Sequence, residues 1–333
     1  EVEIHYCGPM DVACQYCEAL HFPAEKPIDG KFTTCCHKGK VILPPKREFP
    51  EYIKDIMSNP NHPDYKNFNE NIRNYNSSMS FASMGAKTSD LSNKGPYCFR
   101  VCGQIYHCTS NIHPNDNESR QYAQLYVVDS SEANIHRKES RANVKCVTEI
   151  IANLDKIIRE NNAFAKAYQM LGEIEMKEKE RLGTEDTPDV NLTFKRDRND
   201  DRRRYNLPTV DEVAMVFKNS DGEPPFERDF KVYPYPNQPM INLNILSPNL
   251  DPMTYPLFYP YGEPGWQPGI ELMINENVQK SKISMLQYKV AQTAIREGIF
   301  NPLLYGGKLF QQWIVDSYLQ VEANNLNYIK QNQ

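Results

Sequence analysis

Between residues 141 and 182 the apolar positions Val144, Val147, Ile150, Ile151, Leu154, Ile157 and Ile158 recur at spacings of three and four. At 3.6 residues per turn, that spacing gathers them on one helical face. The pattern predicts one helix, a break at Asn161-Asn162, and a second helix over 163–179. The tail of that second stretch, 173–181, is nearly all charged and reads as a solvated surface. A shorter helix is expected over 51–57, and an amphipathic one over 283–297 with Gly298 as its left-handed cap. From Lys308 onward, Phe310, Trp313, Ile314, Tyr318, Val321 and Ile329 predict a helix of roughly 24 residues, about 36 Å long.

Strand patterns fall elsewhere. The stretches 97–102, 104–107 and 124–129 are rich in β-branched and aromatic residues and predict a three-stranded antiparallel meander. Ser80 to Met84 reads as extended, as does Lys231-Val232-Tyr233. Val41-Ile42-Leu43 reads as a short strand closed by Pro44-Pro45. Thr209 and Glu212 form a capping-box pattern ahead of Val213, Ala214, Val216 and Phe217, which predicts a helix start. Tyr255-Pro256-Leu257-Phe258-Tyr259-Pro260-Tyr261-Gly262 cannot be regular helix, because each proline removes a backbone donor. An ordered aromatic loop is expected.

These elements predict an α+β fold with four segments. Residues 1–45 form a zinc-knuckle segment, and 46–182 an α+β domain holding the β meander and flanking helices. Residues 183–270 form a Pro-rich irregular and β segment, and 271–333 a helical C-terminal segment. The length of 333 residues suits two or three domains of roughly 100–200 residues each. The chain starts at Glu1 and stops inside a helical pattern, so it reads as a piece of a larger protein.

Composition narrows the function classes. The formal net charge is -5. A nucleic-acid coat protein would be basic, so any DNA contact must use a local patch. No apolar run approaches the roughly 18 residues of a membrane span, and no signal peptide is visible. Nine cysteines are an odd number, and five fall within the first 36 residues. A long chain with unpaired cysteines and no signal points to a reducing compartment, cytosol or nucleus. The sequons at Asn76, Asn117 and Asn191 are then chance matches.

Cysteine spacing carries the strongest chemical signal. Cys14-x2-Cys17 supplies two thiolates from one tight turn, and Cys35-Cys36-His37 follows after a gap typical of structural zinc modules. A metal would replace the hydrophobic core that so short a segment lacks. The fourth ligand stays open among Cys36, His37, His21 and Cys7. Four or more protein donors leave no open coordination position, so the zinc would be structural. Cys98, Cys102, Cys108 and Cys146 are scattered over strand and helix patterns and read as core thiols, and His107 as a structural histidine.

The stretch from Lys195 to Tyr205 carries six basic and three acidic residues. Arg196, Arg198, Arg202, Arg203 and Arg204 can fork onto phosphate, and Tyr205 can stack a base. The interleaved aspartates oppose this. No two of the seven histidines flank a single hydrophobic residue, so the metal-binding pair of a rolling-circle nuclease is missing from this sequence. Gly306-Gly307-Lys308-Leu309 has the Gly-Lys of an ATPase phosphate loop but no hydroxyl after it. The chain therefore carries no recognisable catalytic centre.

Several segments, in order, resemble the N-terminal region of Helitron transposases, the Helitron helicase-like proteins. They are Cys14-Gln15-Tyr16-Cys17 with Glu25, the run from Phe32 through Cys35-Cys36 to Pro45, Asn71-Ile72-Arg73-Asn74-Tyr75-Asn76, and Ser80 to Gly85. Gly95 to His107, Ala123 to Tyr126, Tyr255 to Trp266 and Gly307 to Tyr318 continue the series. The likeness runs from about residue 7 to 333. The resemblance implies a nuclear protein that mobilises DNA by a rolling-circle route. A zinc-containing N-terminal region would precede a Rep endonuclease and an ATP-dependent 5'-3' DNA helicase in the same polypeptide. This chain would stop just before the endonuclease motifs. It would bind DNA, as single strands or transposon ends, and position it for that nuclease. The other expectation is a protein-interaction scaffold that does not touch DNA.

Overall fold

The computed structural model describes residues 6–41, 43, 47–85, 88–90, 99–101, 106–183, 188, 190–196, 213–218, 227–270 and 282–332. It is a mixed α+β fold with antiparallel sheets. Helices stand where the apolar period is strongest. Helices α1 (Glu51–Ser58), α2 (Tyr65–Glu70) and α3 (Ile72–Met79) turn Ile53, Ile56, Phe68, Ile72 and Tyr75 inward. Helix α4 (Ser130–Glu139) begins where the Asp129 carboxylate accepts from the amides of Ser131 and Glu132, filling donors that a helix start leaves open. Helix α5 (Thr148–Asn161) buries Ile150, Ile151, Leu154 and Ile158 on one face. Asn162 separates it from α6 (Ala163–Leu182) by capping Phe164 N at 2.9 Å, and Gly183 ends α6 at φ +62°.

The sheets depart from the expected meander. Strand β3 (Ala82–Gly85) pairs antiparallel with β6 (Tyr106–Thr109), whose other edge takes β10 (Ile241–Leu243). Strand β4 (Thr88–Asp90) pairs with β5 (Phe99–Val101) as a separate ribbon. The expected strand over 124–129 is instead a 3₁₀ turn, Tyr122–Tyr126. Ala123, Gln124, Leu125 and Tyr126 are buried in succession, which a strand with alternating faces does not permit unless both faces are covered. Of the expected strand residues, Tyr97, Cys98, Cys102, Gln104 and Ile105 lie outside the described residues.

A second sheet has the order β8-β7-β9, from β7 (Val190–Lys195), β8 (Ala214–Lys218) and β9 (Arg228–Val232). Val213 itself is helical, but Ala214, Val216 and Phe217, expected to continue that helix, lie in strand β8 instead; Thr209 and Glu212 lie outside the described residues. Val216 and Phe217 pair with Leu192 and Asn191 of β7, so ladder bonding overrides the local helical pattern. Val41 and Leu43 form no strand, and Ile42 lies outside the described residues.

The C-terminal helices are α7 (Leu250–Thr254), α8 (Met285–Gln292) and α9 (Gly307–Gln331). Helix α8 is shorter than the expected 283–297. It starts at the Ser284 cap and ends at Thr293, beyond which the chain extends and bridges to Ala19. Val144, expected on the α5 face, precedes that helix and is exposed. The 255–262 segment is the expected ordered loop, with Tyr255, Leu257, Phe258 and Tyr259 all buried. One cluster of buried side chains runs from Ile53 to Trp313, so segments 46–182, 183–270 and 271–333 contribute to a shared core. Among the described residues, no helix is long and apolar enough to cross a membrane.

Candidate metal centre

Two turns bring four cysteines together. Strand β1 (Val12–Ala13) and strand β2 (Leu20–His21) pair antiparallel, and Cys14 and Cys17 sit in the turn between them. Glu18, at φ 58°, closes that turn as its amide donates to Cys14 O, while Cys14 N donates to Ala19 O at 2.8 Å. The second turn folds Val41 N back onto Cys36 O at 2.9 Å and Lys38 N onto Phe32 O at 2.8 Å. His37, Lys38 and Gly39 all take positive φ, at 50°, 60° and 80°. Only glycine does so without steric cost. A Cβ on Gly39 would also lie 2.8 Å from the Tyr16 ring, so Gly39 is where the second turn rests on the first.

The sulfurs of Cys14, Cys17, Cys35 and Cys36 all lie within 4.8 Å of one another and can hold a metal ion. Cys14 Sγ and Cys36 Sγ are 3.6 Å apart, and Gly39 N donates to Cys36 Sγ at 3.2 Å. Burial works to raise the Cys14 thiol, but amide donors of Tyr16 and Cys17 and the Cys35 and Cys36 thiols outweigh it and leave its pKa lowered. Burial pushes Cys35 strongly upward and Cys36 up to about 12. A bound cation would favour the ionised form of the buried thiols.

The alternates to these four do not join the group. His21 stacks on Phe32 with ring centroids 3.8 Å apart and faces Glu25 at 3.6 Å. His37 is half-buried and Cys7 is exposed. Besides the four thiols, the buried cluster holds, among the described residues, Phe32 and Ala19, with Val12 of the module and Ala294 from the distant C-terminal part packed against it.

Of the arginine stretch, Arg196 alone is described. It ends β7 with its guanidinium 2.5 Å from the Glu227 carboxylate, both largely exposed. Arg198, Arg202, Arg203, Arg204 and Tyr205 lie outside the described residues. Cys108, on β6, is buried and donates to Asn242 Oδ1 at 3.0 Å. Burial raises the half-buried Cys146 to about 11. Both behave as core thiols.

Three polar clusters escaped the sequence reading. In the first, the Asp155 carboxylate accepts from Arg137 at 2.7 Å and Arg159 at 3.0 Å, and both guanidinium groups stack on Tyr126 at 5.3 Å. Its signal was a charged pair at i and i+4 on the apolar face of α5. In the second, Asp316 of α9 accepts from His107 and Tyr255, while Lys289 of α8 pairs with Asp251 and lies over Trp313. In the third, His113 meets Glu175 at 2.7 Å beside a polar cleft of about 70 Å3 lined by Ser110, Gln121 and Tyr122. Glu175 is therefore buried within the stretch expected to be solvated.

Neither the comparison with protein-family models nor that with curated proteins finds a match to this chain.

Proposed function

We propose that residues 6–41 form a structural zinc module, and that the chain is the DNA-binding and scaffolding N-terminal region of a Helitron-like rolling-circle transposase. The observation that carries the metal half is the convergence of Cys14, Cys17, Cys35 and Cys36. Tetrahedral zinc with bonds of about 2.3 Å sets sulfurs about 3.8 Å apart. The 3.6 Å between Cys14 and Cys36 needs little adjustment to meet that spacing. Four thiolates close the coordination shell, so the ion orders the fold and does no chemistry. A tight, mostly buried all-sulfur set suits zinc, the ion proposed for it.

The DNA half of the proposal rests on the order of motifs from Cys14 to Tyr318 and on the arginine stretch at 196–204. DNA, single-stranded or at transposon ends, would be held for nuclease and helicase domains of the same polypeptide, in the nucleus. Gel shifts with labelled single-stranded DNA at two salt concentrations test this. The expected result is retention that weakens with log salt, with a shallower slope when Arg202, Arg203 and Arg204 become Ala. No retention at low salt rejects it.

A second reading is a protein-interaction scaffold without direct DNA contact. Its supporting observation is the exposed apolar face of α9, where Val315, Tyr318, Leu326 and Ile329 share a stripe of solvent-facing positions. The net charge of -5 also favours it.

A further inference from the structure

The metal module is fastened to a distant part of the chain. Leu20 N donates to Ile295 O at 2.8 Å, and Ala19 forms a β-bridge with Arg296. The Arg296 guanidinium donates through Nε to the carbonyl of Cys17 at 2.8 Å, across 279 positions of sequence. Ala294 packs directly on the cysteine cluster. These contacts all fall on the five residues after α8.

The exit of the module makes a second attachment. After Cys36 the chain delivers Val41 and Leu43 into an apolar cluster with Trp266, Ile270, Ile283, Met285, Tyr288 and Ala291. Val321 of α9 packs on the same cluster. The two cysteine-bearing turns therefore reach α8 by two routes: one through the bridged segment that follows it, the other through its apolar face. Helix α8 in turn holds α9, because Lys289 pairs with Asp251 and sits 5.0 Å from the Trp313 ring.

We infer that the metal centre and the α8–α9 region form one unit, in which Arg296 positions the Cys17 ligand turn and bound metal fixes the segment 293–297. This rests on the zinc reading above. Without the ion, the module keeps too small a core to hold its turns, and both attachments lose their footing. The guanidinium acts from outside the coordination shell, through a carbonyl of the chain that bears a ligand. Loss or gain of metal near the start of the chain is then transmitted to its final helix through named contacts.

The test is hydrogen exchange on the full chain, zinc-loaded and after chelation, together with zinc affinity of Arg296→Gln. Chelation is expected to speed exchange roughly tenfold or more in 293–297 and in the Val41-facing turns of α8, with α5 unchanged. Arg296→Gln, with all four cysteines intact, is expected to weaken zinc binding by about tenfold, the low end of such supporting contacts. Exchange changes confined to 6–41, with wild-type zinc affinity in Arg296→Gln, would overturn the coupling while leaving the zinc module standing. A purified protein that binds no zinc would remove both.

Discussion

His107 of β6 and Asp316 of α9 meet at 3.0 Å, with both side chains fully buried. Tyr255 adds a second donor to the same carboxylate oxygen at 2.8 Å. Burial would raise the Asp316 pKa, but the His107 ring, the Lys289 ammonium and the Tyr255 hydroxyl overcome it and hold the group below the ordinary carboxylate range. This contact ties the final helix to the central strand of the sheet. Asp316→Asn is expected to destabilise the protein by about 3–5 kcal/mol, the usual result of breaking a buried pair from one side. Urea unfolding of both proteins measures it.

The same carboxylate sets a pH dependence. Its folded pKa lies below its unfolded value of about 3.9, so its stabilisation is fully present above roughly pH 4 and is lost as pH falls through the folded value. Wild-type protein should therefore lose stability in that acid range more steeply than Asp316→Asn. Identical acid limbs for the two proteins in melting experiments would count against the role assigned to Asp316.

At the metal centre, the choice of fourth ligand can be checked directly. Cys36→Ser is expected to lower bound zinc well below one equivalent, whereas His37→Ala and Cys7→Ser leave it at one. Elemental analysis of reduced protein gives the stoichiometry. Retention of zinc by Cys36→Ser, with loss in His37→Ala, would move the ligand to the histidine.

Gly39→Ala probes the seat of one turn on the other. The added methyl meets the Tyr16 ring, and φ is +80°. A left-handed alanine costs roughly 1–2 kcal/mol, and the clash adds to it. Competition with a coloured chelator should show zinc affinity reduced by about tenfold or more, 1.4 kcal/mol being one factor of ten. Wild-type affinity would mean that the turns are not in contact in solution.

Asp155→Ala strands two guanidinium groups, Arg137 and Arg159, which are buried against Tyr126. The expected loss is again about 3–5 kcal/mol. Asp155→Asn should recover part of it, because an amide oxygen still accepts from both. Thermal melts of the two variants rank them.

What could be read in advance follows the range of the interactions. Cys14, Cys17, Cys35 and Cys36 were legible because each pair comes from a single tight turn, and turn chemistry is local. Helices α5 and α6 were legible because a periodic face and the Asn162 break are local as well. Strand β10 was not, since Ile241–Leu243 becomes a strand only by pairing with β6, more than a hundred positions earlier. Residues 124–129 misled because Leu125, Tyr126 and Val127 have strand-forming side chains, yet here they serve a buried 3₁₀ turn. Helix α8 was overextended because Ala294 and Ile295 continue its apolar period, while their backbone is taken by the cysteine module. The contact of His107 was not legible, because its partner Asp316 lies 209 positions away.

The buried cluster that begins at Ile53 is closed by Trp313. On a ribosome, the early helices would emerge with their apolar faces bare, long before the α9 side chains that cover them are made. The cluster cannot close until Trp313 has been made, and distant closures of this kind are slow. A nascent chain in that state is a client for chaperones, and truncations upstream of α9 should aggregate rather than yield smaller folded pieces.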